Sequence, residues 1–263
     1  MEQNELISRY DAVLQDYQRK VVQRMTPQQY RDYAEVLFST HSCAIEGNSF
    51  KVDDTRALKE QGLAMVVPPG KKLFECLEMA DHLHAFCYVM DHLQHPLDEA
   101  LLKEVNRLIT EHTLSYTAPD AVAGEYTTVD MVAGDTLFGN HEKLIAQVPR
   151  LLGATEMAIQ RAEQHPMIIA ARFHGYYEYL HPFRDGNGRT GRLMSNYILA
   201  RMGHPLLTIY LEERQQYIAA LKQIRTEGTD EHLTAFFLET AINHMTAELA
   251  QTRQNTHHKT FIF

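Results

Sequence analysis

Apolar residues recur at three- and four-residue intervals along almost the whole chain, the period a helix needs to bury one face. In the first segment Leu6, Tyr10, Val13, Leu14 and Tyr17 share a face. Thr26 then stands where a helix N-cap belongs and Pro27 fits the first helical position; the pattern runs through YAEVLFSTHSCAIE to a stop at Gly47-Asn48. The spacing returns in KKLFECLEMADHLHAFCYVMDHL, LDEALLKEVNRLITEH, HEKLIAQVPRLLGATEMAIQRA, PMIIAARFHGYYEYL, GRTGRLMSNYILARMG, ERQQYIAALKQI and DEHLTAFFLETAINHMTAELAQ. One stretch breaks it. GEYTTVDMVAGDTLF, residues 124–138, is rich in Thr, Val and Tyr, and Gly134-Asp135 suits a tight hairpin turn. The chain has no internal repeat and no long linker, and its last ten residues, QNTHHKTFIF, read as a frayed tail. The expectation is an all-α helical bundle with a small β-hairpin.

A second irregularity lies at residues 181–192, HPFRDGNGRTGR. Pro182 pushes the residue before it out of the α region, so a helix ends near His181, and the next begins around Arg189. The glycine-rich turn between them feeds a helix N-terminus, where converging N–H groups and the helix dipole favour an anion. Gly186 and Gly188 allow positive φ and a close backbone approach to a phosphate. Arg189 and Arg192, in the first turn, oppose the dipole unless an anion resolves the conflict. Asp185 would repel a bound phosphate unless a cation lies between them, which suggests a Mg-nucleoside di- or triphosphate. His181, at a helix C-terminus where its protonated form is favoured, is a candidate general base. Phe183 is expected to anchor the loop in the core. Gly186, Gly188 and Gly191 also match GxGxxG, but EYLHPFRD ahead of them is no strand, and the dinucleotide-binding reading is rejected.

Composition excludes several classes. Against 25 basic residues stand 34 acidic ones, a formal charge of −9, which argues against a nonspecific nucleic-acid binder. No stretch approaches the roughly 18 apolar residues of a membrane span. MEQNELISRYDAVL lacks the basic start and apolar run of a signal peptide, and Cys43, Cys76 and Cys87 form no CxxC. Reduced, buried thiols and a cytoplasmic location are expected.

HPFRDGNGRTGR resembles the signature of Fic-domain proteins, HxFx(D/E)GNGRxxR, at every fixed position. AGEYTTVDMVAG is similar to that family's flap and RQQYIAAL to the segment after its core, so the resemblance covers about residues 70–225. It implies the Fic fold and a protein adenylyltransferase (AMPylator), which transfers AMP from Mg-ATP to a Ser, Thr or Tyr hydroxyl of a target protein and releases pyrophosphate. Under it His181 is the catalytic base, Asp185 holds Mg²⁺, and Gly186, Asn187 and Gly188 form the anion hole with the Asn187 side chain at the α-phosphate. Arg189 and Arg192 grip the β and γ positions, and Tyr217 with Leu221 is assigned to the adenine pocket. The flap, through Tyr126, Val129 and Met131, docks the target main chain by strand addition. Many family flaps carry a basic residue after the tyrosine where this chain has Thr127, which bears on target preference.

SCAIEGN, residues 42–48, is similar to the family's inhibitory element (S/T)xxxE(G/N), which assigns Ser42, Glu46 and Gly47 to self-inhibition. The physical idea is that Glu46 competes for Arg192 with the γ-phosphate. The domains expected are 1–70, a helical region carrying this motif, 71–225, the Fic core, and 226–263, a C-terminal helix and tail. Two other readings stay open: removal of AMP from a modified protein by the same site, and a non-catalytic ATP-sensing module. Apolar surface on the N-terminal helices suggests a homodimer.

Overall fold

A computed structural model describes residues 3–62, 67–68, 70–133 and 136–255. Eleven α-helices occur among them: α1 Gln3–Lys20, α2 Pro27–Ile45, α3 Val52–Gln61, α4 Leu73–Asp91, α5 Glu99–Ile109, α6 Leu114–Thr117, α7 Leu144–Arg161, α8 Pro166–Leu180, α9 Asn187–Arg201, α10 Arg214–Glu227 and α11 Glu231–Asn255. The fold is all-α with one small hairpin. Strand β1, Val132–Ala133, pairs antiparallel with β2, Thr136–Leu137, placing Val132 opposite Leu137. The turn assigned to Gly134-Asp135 and the tail beyond residue 255 lie outside the described residues.

Most helix ends follow from local chemistry. Thr26 and Gln29 form a reciprocal capping box, in which Thr26 Oγ1 accepts from the Gln29 backbone at 3.2 Å and Gln29 Oε1 accepts from the Thr26 backbone at 2.9 Å. Two helices are absent from the periodic pattern. Helix α3 buries only Thr55 and Leu58, too little to make an apolar stripe, and α6 is a single turn. Residues 124–131, read as strand, are instead loop whose backbone is bonded elsewhere: Tyr126 bridges Phe183, and Thr127 N donates to Pro182 O at 2.8 Å.

Helices α8 and α9 pack against each other at the centre, and α9 buries twelve of its fifteen residues. Around them α1 packs on α11, α2 and α5 on α4, α7 and α11 on α8, and α10 on α11. One apolar cluster holds residues from Leu6 to Leu249, so α1 and α2 share a core with the rest, while Phe50 and Leu58 join Cys76, Met79 and Leu83 in a second, smaller one. The apolar face of α1 from which a dimer was expected is largely used within the chain. Leu6, Tyr10, Leu14 and Tyr17 of α1 are buried within the chain, and no large exposed hydrophobic among the described residues lies on α1 or α2. Cys43 and Cys76 are buried and unpaired as expected, whereas Cys87 is only partly covered. Among the described residues no helix is long and apolar enough to cross a membrane.

Phe183 sits in the central cluster at 1% exposure and ties the loop after α8 to the core. Phe183→Ala is expected to lower unfolding free energy by about 3–5 kcal/mol. Urea denaturation checks this, and a loss no larger than a surface substitution gives would remove Phe183 as the loop's anchor.

Candidate active site

Helix α8 ends at Leu180, and His181 caps it in the left-handed region at φ 49°, its N–H bonded to Tyr177 O at 2.9 Å. Pro182 was expected to push His181 out of the α region. The left-handed conformation satisfies that steric demand and also closes the last helical turn. The chain then folds over the N-terminus of α9. Asn187, at the first helical position, accepts from Phe183 N at 3.0 Å through Oδ1 and donates to Phe183 O at 2.7 Å through Nδ2. Its amide therefore staples the loop, while the residue itself also lines the cavity over the start of α9. Asp185 Oδ1 accepts from Gly186 N at 2.5 Å, and its Oδ2 accepts from Thr117 Oγ1 at 2.6 Å. Asn106 of α5 donates to Asp185 O at 3.0 Å and to Thr190 Oγ1 at 3.2 Å, fixing the loop from the opposite side.

Arg189 and Arg192 of the motif are buried and paired with carboxylates. Arg189 lies 2.9 Å from Glu78 of α4 and 3.2 Å from Asp185. Arg192 donates from Nε to Ser42 Oγ at 3.1 Å, and from Nη2 to Ser42 O and Glu46 Oε1, both at 2.8 Å. The cationic conflict in the sequence is thus resolved within the chain. His82 bonds Ser42 Oγ and Ser39 Oγ, both at 3.0 Å; burial and then the two arginines push its pKa down to about 3, so it is neutral. Asn48 donates to Glu78 at 2.8 Å, so the residues closing α2 are tied to the helix that holds Arg189. Gly47 makes that exit possible with φ +107°.

Burial tends to raise the pKa of Glu46, but Arg192 outweighs it and holds the carboxyl below its ordinary 4.5. The sign follows: the pair is fully formed above that value and is lost as pH falls through the lowered one. Gly188 is what gives Glu46 access. A Cβ there would collide with Glu46 Oε1 and stand 2.9 Å from Arg192 Nη1.

His181 differs from its expectation. Burial, followed by the Arg225 cation, lowers its pKa to about 4, so the ring is neutral and the helix-end preference for the protonated form is overridden. Phe138 stacks on it at 3.9 Å between centroids, and the Arg225 guanidinium lies 4.1 Å over Phe138. The ring lines a cavity of about 310 Å³ shared with Glu46, Glu78, Asp185 and residues 186–189. Four further candidates lie elsewhere. Tyr217 is 1% exposed, its hydroxyl 2.6 Å from His174 Nε2 and its ring centroid 6.0 Å from Arg192 Cζ, so it supports Arg192 from the core instead of lining the cavity. Leu221 also packs on the core. Tyr126 is tied to Phe183, Met131 O accepts from Phe138 N at 2.9 Å, and Val129, with its side chain exposed, donates from N to Thr127 Oγ1 at 3.2 Å and accepts from it at O at 2.8 Å. Sequence reading missed Glu78, Asn106, Thr117, Phe138 and Arg225, which only tertiary packing brings here; Glu178, three residues before His181 on one helix face, was readable.

Residues 96–199 match the sequence model of the Fic/DOC family. The chain contains a Fic domain. It is 32% identical over 188 residues to a protein adenylyltransferase Fic of Nematostella vectensis, covering 70% of this chain and 42% of that protein. Over 192 residues it is 32% identical to one from Culex quinquefasciatus, covering 72% and 36% respectively. The chain thus spans less than half the length of these relatives. Among solved structures, a fragment of Fic-1 from C. elegans superposes with TM-score 0.77 at 22% identity, covering 96% of this chain and 73% of the fragment. A Fic-domain signaling protein of Bacteroides thetaiotaomicron gives TM-score 0.71 at 23% identity, covering 95% and 93%. These likenesses establish the Fic fold.

The packing of Glu46 against Gly188 has a stability signature. Gly188→Ala is expected to destabilise the native chain by about 1–3 kcal/mol through overpacking, and to do so less in a Glu46→Gly background. A double-mutant cycle in urea reads a coupling of about 0.5 kcal/mol or more; strict additivity would contradict the contact.

Proposed function

We propose that the chain is a protein adenylyltransferase that moves AMP from Mg-ATP to a Ser, Thr or Tyr hydroxyl of a target protein and is restrained by its own Glu46. The observation that carries this reading is His181, held neutral near pH 7 at the wall of a cavity whose floor is the glycine turn at the start of α9. A neutral imidazole accepts a proton from a target hydroxyl, and the oxygen so activated attacks the α-phosphorus while pyrophosphate departs. Backbone N–H groups at 186–188 and the dipole of α9 favour the negative charge of the phosphates. The name of the adenylyltransferase relatives supports the same chemistry.

Asp185 fits a magnesium ion: its carboxylate lines the cavity at 24% exposure, and this hard cation takes one or two carboxylates together with phosphate oxygens. Mg²⁺ there would neutralise phosphate charge. The resemblance puts Arg192 at the terminal phosphate, and Glu46 occupies it across 146 positions of sequence, which supports the inhibitory role of Ser42, Glu46 and Gly47. The division into 1–70, 71–225 and 226–263 is proposed as a functional one, with restraint in the first part and chemistry in the second. The charge of −9 and three unpaired thiols support action in the cytoplasm. Removal of AMP is the second reading, favoured by Glu46 and His181 lining one cavity, where the acid would position water.

With Mg²⁺ and α-labelled ATP, Glu46→Gly should transfer label to protein about 5–150-fold faster than the native chain, the range that 1–3 kcal/mol of coupling supplies. Adding His181→Ala should lower transfer by about 10²–10⁴. Equal labelling by the native chain and Glu46→Gly would remove the inhibitory role. No label from any of them, even with host lysate, would remove the transferase reading. Loss of AMP removal in Glu46→Gly together with gain of addition would favour the second reading.

A further inference from the structure

Beneath the catalytic cavity lies a carboxylate with no assigned role. Glu178, on the last turn of α8, puts Oε2 3.8 Å from His181 Nδ1, with the two side chains 12% and 19% exposed. Glu178 Oε1 and His181 Nδ1 are both buried and make no hydrogen bond. The backbone of α9 closes over the pair, since a Cβ at Gly191 would fall 2.9 Å from Glu178 Oε1. Phe138 covers a face of the imidazole. With Nδ1 turned inward, Nε2 is the ring nitrogen on the side of the cavity that His181 lines. A gap of 3.8 Å is longer than a hydrogen bond, but catalytic hydrogen bonds are often long in empty sites and tighten with substrate.

We propose that Glu178 is the positioning residue of His181: its carboxyl selects which ring nitrogen carries the proton, and thereby whether Nε2 can act as a base. This rests on the reading of His181 as the base. The two ring nitrogens of a neutral histidine are not equivalent, and the partner of one decides the state of the other. A protonated Glu178 donates to Nδ1, which leaves the ring proton on Nε2 and makes the cavity-facing nitrogen a donor. An ionised Glu178 accepts from Nδ1–H, and the lone pair on Nε2 is then free. In the second state the proton leaving a target hydroxyl goes to Nε2, and the imidazolium formed is stabilised by the carboxylate behind it, a division of labour known from hydrolase triads.

The surroundings place the change in a useful range. Burial raises the Glu178 carboxyl to about 7, against the opposing pull of Arg192 from α9 and Arg225 from α10 and with repulsion from Glu46 adding to the rise. Burial and Arg225 lower His181 to about 4, while Glu46, Asp185 and the backbone carbonyl of Glu178 act in the opposite direction. Arg225 also donates to the Glu178 carbonyl at 2.9 Å. His174, one turn earlier on α8, is neutral at about 3 and bonded to Tyr217. Around pH 7 the pair therefore gains or loses one proton, carried by Glu178, while the ring stays neutral. The sign follows: raising pH through about 7 frees Nε2.

The test is the ¹⁵N shifts of the His181 ring in the whole chain, assigned by their loss in His181→Ala and followed from pH 5.5 to 8.5 without nucleotide. The native chain should move its ring proton from Nε2 to Nδ1 with a midpoint near 7, and Glu178→Gln should show no such transition. In the Glu46→Gly background, kcat for AMP transfer should rise with pH through the same midpoint at unchanged KM for ATP. Adding Glu178→Gln should flatten that rise and lower the plateau about tenfold or more. A native tautomer that does not change across this range overturns the proposal, even if Glu178→Gln proves unstable. So does a transition unaltered in Glu178→Gln. A tautomer switch without AMP transfer at any pH would leave the pair standing and remove the transferase reading instead.

Discussion

Two guanidinium groups are buried at the centre of this protein, and much of the surrounding architecture keeps them compensated. Arg189 and Arg192 are 4% and 3% exposed as side chains. A charge removed from water to that extent is tolerated only with carboxylates and further acceptors at hand. Glu78 comes from α4, Asp185 from the loop before α9, and Glu46 with Ser42 from the end of α2. Three separate parts of the chain therefore have to meet at α9 for the core to be tolerable. The N-terminal region is held to the rest through these charges as well as through apolar packing.

The three carboxylates are not equivalent. Glu78 is 7% exposed and further bonded to Asn48, whereas Glu46 is 38% exposed and lies at the cavity wall. Glu46 is therefore the most accessible of the three to an anion in the cavity, and Arg192 behind it is the cation it occupies. A lost partner at Arg189 would leave a buried charge that solvent cannot easily reach. At Arg192 a phosphate can take the place of the carboxylate with little change in local charge. Under the proposed reading, exchange at one arginine and permanence at the other would let a restraint be lifted without unfolding the site.

How much of this was legible follows from range. Thr26, Pro27 and Gly47 act on their own neighbours, and the sequence placed the ends of α2 through them. Phe183 was readable as an anchor because a large apolar residue between a proline and a charged turn has few other places to go. Other assignments came from the resemblance, and packing adds to them. The resemblance puts the Asn187 side chain at the α-phosphate, and its amide also holds the backbone four residues earlier. Tyr217 was assigned to a nucleobase by resemblance, and the structure uses it beneath Arg192. Glu78 and Asn106 carry no mark in the sequence, because what makes them part of the site is the packing of α4 and α5 on α9.

Protonation shows the same division between local and global causes. The end of α8 favours a charged imidazole at His181, and a reading confined to that helix predicts one. The ring is nevertheless enclosed by Phe138 and faces the field of Arg225, both supplied by distant segments, and desolvation outweighs the dipole. The burial that lowers the histidine raises Glu178 behind it, because each group is disfavoured in its own charged form. A single apolar enclosure therefore moves an acid and a base toward neutrality together. Under the proposed reading, that is the condition under which His181 would accept a proton near pH 7 and Glu178 would decide where on the ring the proton sits.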